Sequence, residues 1–192
     1  MPAANPALTA ARDYVRTTSS AINSAEAAQL KKMAKGRQSD FDPKKPKKLT
    51  IFATENFPTW QAKYIDLLSE VWDSATNTQT IDDKELNGRV AKMGEMKKAM
   101  PFVQALKKRL KDGEPAAQIL SRKLSFDEKS TLLAMIPGLK RTAGLESVQV
   151  VLVEEGSKMG KDLTDGEKEV EVTAQVAEGA LPGQPSFLFA NV

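Results

Sequence analysis

The chain of 192 residues contains no cysteine and no histidine, and each absence removes a block of chemistry. Without thiols there are no disulfides and no thiolate nucleophile. Without imidazole there is no Ser/His/Asp triad and no histidine acid or base, and with both missing the usual zinc ligands are gone. Glycine-rich phosphate loops are missing too, since Lys35-Gly36-Arg37 and Met159-Gly160-Lys161 lack the required spacing. No apolar run approaches the roughly 18 residues of a membrane helix, and Met1-Pro2-Ala3-Ala4-Asn5 opens no basic, apolar leader. The expectation is a cytoplasmic protein with no membrane partner, no metal and no cofactor of its own. Carboxylates do occur in pairs, Asp82-Asp83 and Glu154-Glu155. Adjacent side chains point apart on a helix or strand, however, so these pairs read as a helix-start charge pair and a solvated strand end. No catalytic residue is assigned.

Aromatic residues make up only 6% of the chain, and both tryptophans and one of the two tyrosines fall between Trp60 and Trp72. That stretch organises the reading. Leu49-Thr50-Ile51-Phe52-Ala53-Thr54 has the composition of a buried strand, and Pro58 sets a helix start. Trp60, Tyr64, Leu67, Leu68, Val71 and Trp72 then recur on one helical face. A second nearly unbroken β-branched run, Val148 to Val153, suits a central strand. Helices separate the two runs, so they are expected to pair in parallel in one small sheet, with Trp60 packed under it.

The remaining elements follow from local signals. Pro6 to about Glu26 reads as a helix with a weak face of Leu8, Ala11, Val15, Thr18 and Ile22, expected to fray without a partner surface. Asp73 to Thr80 is a polar break, and Ile81 to Met93 is a helix opened by acids and closed by Gly94. Glu95 to Lys111 is a helix that Pro101 either kinks or divides. Ser125 with Glu128 three residues on reads as a capping box for a helix ending near Gly144. Val170 to Val176 alternates like a strand but equally suits a disordered acidic tail, and Phe187-Leu188-Phe189 is apolar enough to dock. The fold class expected is α+β, mostly helical. Its parts are a helical extension and basic linker (1–48), an α/β domain (49–155) and an acidic tail (156–192).

Net charge is +3, unevenly spread. Residues 1–50 carry 10 Lys+Arg against 4 Asp+Glu, while residues 151–192 carry 3 against 8. The basic residues form two blocks: Lys31, Lys32, Lys35, Arg37, Lys44, Lys45, Lys47 and Lys48, then Lys97, Lys98, Lys107, Lys108, Arg109 and Lys111. Pro43 and Pro46 bracket Lys44-Lys45 and deny the Lys44 to Lys48 cluster a helix, leaving an extended linker. The second block lies off the apolar stripe of its helix. Each block is read either as a solvated face or as a contact for an RNA backbone; no aromatics interleave the lysines, so base stacking is not suggested.

Leu49-Thr50-Ile51-Phe52-Ala53-Thr54 running into Phe57-Pro58-Thr59-Trp60-Gln61 resembles a segment in the C-terminal region of eukaryotic, particularly fungal, cytosolic leucyl-tRNA synthetases. Met96-Lys97-Lys98-Ala99-Met100-Pro101-Phe102-Val103, Leu124-Ser125-Phe126-Asp127-Glu128-Lys129 and Val148 to Val153 extend the resemblance. It implies a class I leucine–tRNA ligase that charges tRNA(Leu) with leucine using ATP. The chain departs from the family pattern in having neither nucleotide-binding signature and far too little length for catalytic and editing domains. What carries over is a tRNA-facing role beside the remainder of a synthetase, with the segment alone inactive. The alternative is a free-standing RNA- or protein-binding module without ligase activity.

Overall fold

The computed structural model describes residues 5–35, 41–73, 75, 76, 78–113, 116–121, 124–173, 176 and 179–192. They form two compact units: residues 1–56 with 124–192, and residues 57–123 inserted between them. The fold class is α+β.

The first unit is built on a five-stranded sheet of order β6-β5-β4-β1-β7. Its strands are β1 (Lys47–Ala53), β4 (Ser147–Val153), β5 (Met159–Asp162), β6 (Lys168–Glu171) and β7 (Ser186–Asn191). The two β-branched runs pair in parallel at the centre, Leu49 opposite Val148 and Ile51 opposite Val150. β7 then runs antiparallel along the other side of β1, with Phe189 opposite Leu49. Phe187-Leu188-Phe189 thus docks as an edge strand. Alternation sorts the side chains: Leu49, Ile51, Val148, Val150 and Phe189 face one side and share a core with α1 (Pro6–Ala34) and α6 (Glu128–Thr142). Phe52, Val151 and Val153 face the other side and are covered by Val172, Ala180 and Val176 from the connection after β6. Each fully buried aliphatic contributes about 1.5–3 kcal/mol, which is why the sheet organises this unit.

The compact units divide after Asn56 and after Lys123, where the sequence reading sets its limits at 48 and 155. Lys47 and Lys48 are already part of β1, and the acidic segment supplies three of the five strands. Of the strand expected at 170–176, only Val170 and Glu171 lie in β6 (Lys168–Glu171); Val172 and Thr173 follow the strand, and Ala174 and Gln175 lie outside the described residues. Gly160 explains why β5 is hard to read from composition: a Cβ there would sit 2.5 Å from Val151 Cγ1, so only glycine fits between the strands.

α1 is longer than its sequence face suggests, because Ala25, Leu30 and Met33 also pack against the sheet core. Asn5 caps it through Ala7 N–H at 3.0 Å, with Pro6 at the first helical position. The capping of α6 differs from the expected box. Asp127, not Ser125, takes the N-cap position, accepting from Ser130 N–H at 3.2 Å. Glu128 is thereby freed to turn inward, where it accepts from Tyr14 Oη at 2.5 Å and Gly183 N–H at 3.0 Å.

The second unit is helical: α2 (Thr59–Val71), α3 (Asp83–Lys92), α4 (Met96–Lys111) and the short α5 (Ala116–Ile119). What reads as a polar break contains the ribbon β2 (Trp72–Asp73) and β3 (Thr78–Gln79). Tyr64, Leu68, Leu86, Val90, Val103 and Leu110 are fully buried in its core. Trp60 is half-buried here, 5.4 Å from the Phe102 ring and 6.1 Å from Tyr64. The sequence reading places Trp60 under the sheet; the rings it meets here belong to α2 and α4. α4 passes through Pro101 as one continuous helix.

Candidate nucleic-acid interface

Two blocks of cations were singled out by sequence, and each sits on one unit. In the first unit Lys31 and Lys32 occupy the last turn of α1 and Lys35 its C-cap; all three are exposed. Cations are favoured at that end of a helix by the backbone dipole. Arg37 lies outside the described residues. Lys44 and Lys45 are exposed on a turn between Asp42 and Pro46. That turn is shaped by Asp42, whose Oδ1 accepts from Lys44 N–H at 2.9 Å and whose carbonyl accepts from Lys45 N–H at 3.1 Å.

Lys47 and Lys48 do not share that freedom. As residues of β1 they are half-buried, and the Lys47 ammonium contacts Glu26 Oε1 at 2.8 Å. An extended, solvated linker is thus corrected to a structured turn entering a strand, because pairing with β4 and β7 begins at these lysines. Lys48 lies near Asp162. Burial alone would raise the Asp162 pKa, but hydrogen bonds from Thr164 at 2.5 Å and Gln149 at 2.6 Å, with Lys48 nearby, hold it below the ordinary value.

In the second unit α4 contains no acidic residue. Lys97 and Lys98 are exposed in its first turn, where the dipole disfavours cations, and Lys108, Arg109 and Lys111 are exposed in its last. Lys107 departs from the expected basic face. Its side chain is only 4% exposed and its ammonium is bound to Asp83 Oδ1. Asp83, which also accepts from Gln79 at 3.1 Å, is held below the ordinary carboxylate value by the Lys107 hydrogen bond first and Gln79 second. Asp82 is committed as the α3 N-cap, accepting from Glu85 N–H at 2.7 Å. The Asp82-Asp83 pair is accordingly structural, with one residue capping and the other pairing.

The arrangement offers exposed ammonium and guanidinium groups at helix ends and on a hydrogen-bonded turn, and exposed cations of this kind attract phosphates without reading bases. The partners that immobilise Lys47 and Lys107 were not visible in the sequence, because Glu26 and Asp83 lie 21 and 24 positions from them and single polar residues carry no periodic signal.

A family model described as the leucine–tRNA ligase RagD-binding domain matches residues 53–122, close to the limits of the helical unit. Over all 192 residues the chain is 91% identical to the cytoplasmic leucine–tRNA ligase of Neurospora crassa, covering 17% of that relative. It is 40% identical to the putative cytoplasmic leucine–tRNA ligase of Schizosaccharomyces pombe, with 98% of this chain and 18% of the relative aligned. The Saccharomyces cerevisiae cytoplasmic leucine–tRNA ligase is 33% identical over 95% of this chain and 17% of its own length. The chain spans less than a fifth of these curated relatives, and its homologues are cytoplasmic leucine–tRNA ligases.

Proposed function

We propose that the chain is a non-catalytic segment from the C-terminal part of a cytoplasmic leucine–tRNA ligase, and that it contacts the tRNA backbone through its exposed lysines. Identity along the whole chain to such a ligase supports the parentage. The observation that carries the tRNA contact is the set of exposed cations at helix ends and on one turn: Lys31, Lys32, Lys35, Lys44 and Lys45 on the sheet unit, and Lys97, Lys98, Lys108, Arg109 and Lys111 on α4. ATP, leucine and the chemistry of charging belong to the remainder of the synthetase. Equilibrium binding of a leucine tRNA transcript and of an unrelated tRNA at low salt tests this. Changing the five lysines of the sheet unit to alanine weakens both RNAs alike, since phosphate contacts carry no sequence information. Unchanged binding would reduce those lysines to a solvated surface.

A second reading concerns the helical unit. The family model covering residues 53–122 is described as RagD-binding, which favours a protein partner docking on this unit beside, or in place of, RNA. Titration of the chain with RagD, with and without tRNA present, separates the two: competition places both on one surface, and absence of RagD binding removes the second reading.

A further inference from the structure

Asn191, near the end of β7, reaches across to the turn that bears Lys44 and Lys45. Its Oδ1 accepts from Asp42 N–H at 2.7 Å, and its Nδ2 donates to the carbonyls of Asp42 at 2.9 Å and Pro46 at 3.2 Å. The amide can take only this orientation, because reversing it would set a donor against a donor and an acceptor against two acceptors. Two more ties hold the turn to the same strand. Val192 N–H donates to Pro46 O at 3.1 Å, and the buried Phe41 ring lies 6.0 Å from Phe189. The turn is therefore fixed at both ends, while the lysines between them stay exposed. The last turns of α1 are fastened to the same two strands, Gln29 Nε2 donating to Phe189 O of β7 at 3.2 Å and Glu26 pairing with Lys47 of β1.

We propose that Asn191 is a positioning residue for a phosphate-binding surface: it clamps the turn Asp42–Pro46 so that Lys44 and Lys45 are presented as a preformed pair to two phosphates of an RNA backbone. The inference rests on the tRNA-contact reading above and adds to it the residue that orders the contact. A lysine pair on a fixed turn binds without first ordering its backbone. Release of the clamp leaves the charges in place but adds that ordering cost to every binding event.

The test compares Asn191→Ala with the double variant Lys44→Ala/Lys45→Ala, using a leucine tRNA transcript across a salt series together with amide hydrogen exchange. The double variant lowers the slope of log affinity against log salt by about 2, one for each lost contact. Asn191→Ala keeps the parent slope, weakens binding roughly 3- to 10-fold, and speeds exchange of the Asp42 and Lys45 amides while Ile51 and Val150 stay protected. Parent-like affinity and exchange in Asn191→Ala, with the double variant impaired, overturns the positioning role alone. Parent-like binding by the double variant overturns the tRNA contact itself. Should alanine unfold the sheet, Asn191→Asp keeps volume and acceptor but loses both donated bonds, and an unchanged Lys45 amide exchange rate there counts against the clamp.

Discussion

The hydroxyl of Tyr14 donates a 2.5 Å hydrogen bond to Glu128 Oε1, joining α1 to the first turn of α6 across 114 positions of sequence. The carboxylate is buried, and its other oxygen accepts from Gly183 N–H, so one group ties two helices and the connection leading into β7. Tyr14→Phe removes the bond to a charged acceptor and is expected to lower stability by about 1.5–3 kcal/mol in urea melts. A loss within the scatter of surface variants would mean α1 is held by its apolar face alone.

Burial raises the Glu128 pKa above the ordinary value of 4.5, despite the two donors that favour its charged form. The folded chain then binds this proton more tightly than the unfolded chain. The contribution is complete below the ordinary value and is lost as pH rises through the raised one. Stability measured from about pH 4 to 7 should therefore improve for Glu128→Gln relative to the parent as pH increases. Asp83, Asp127 and Asp162, held low, act in the opposite sense and lose their contribution as pH falls. Comparison with Glu128→Gln isolates this carboxyl group from those held low.

Capping of α6 separates two neighbouring residues. Asp127→Ala is expected to cost about 1 kcal/mol, the usual effect of deleting an N-cap, and Ser125→Ala less than about 0.5 kcal/mol. The reverse order in thermal melts would restore Ser125 as the cap.

Lys107 and Lys108 are adjacent and should behave as opposites. Lys107→Ala removes a buried stem and the partner of Asp83, and is expected to destabilise the chain by about 1–3 kcal/mol. Lys108→Ala leaves stability within about 0.5 kcal/mol. Lys107→Met, which keeps the stem, is expected to leave tRNA affinity unchanged; reduced affinity with intact folding would return Lys107 to the interface.

The central strands were legible because Leu49–Thr54 and Val148–Val153 are uninterrupted apolar and β-branched runs, and a parallel pair needs just such burial on both faces. β5 was not, because its fit depends on Gly160 passing under Val151 and on alternation too short to register. The site divides along the same line. Exposed lysines near helix ends and on the proline-bracketed turn are read correctly as exposed from composition. Lys47 and Lys107 are not, since Glu26 and Asp83 lie 21 and 24 positions away and only the fold brings them together.

Alone, the chain is expected to form no leucyl-adenylate and to charge no tRNA, because its sequence has no histidine, no cysteine and no glycine-rich phosphate loop. Leucine-dependent pyrophosphate exchange above background would contradict this.

The most direct test of a tRNA-facing role is the salt dependence of binding between the chain and a leucine tRNA. If Lys31, Lys32, Lys35, Lys44 and Lys45 each neutralise a phosphate, those five contribute about −3.5 to −4.5 to the slope of log affinity against log salt, and contacts from α4 steepen it further, from counterion release. A slope near zero, or no detectable binding at low salt, would contradict the account and leave the lysines as solvated surface.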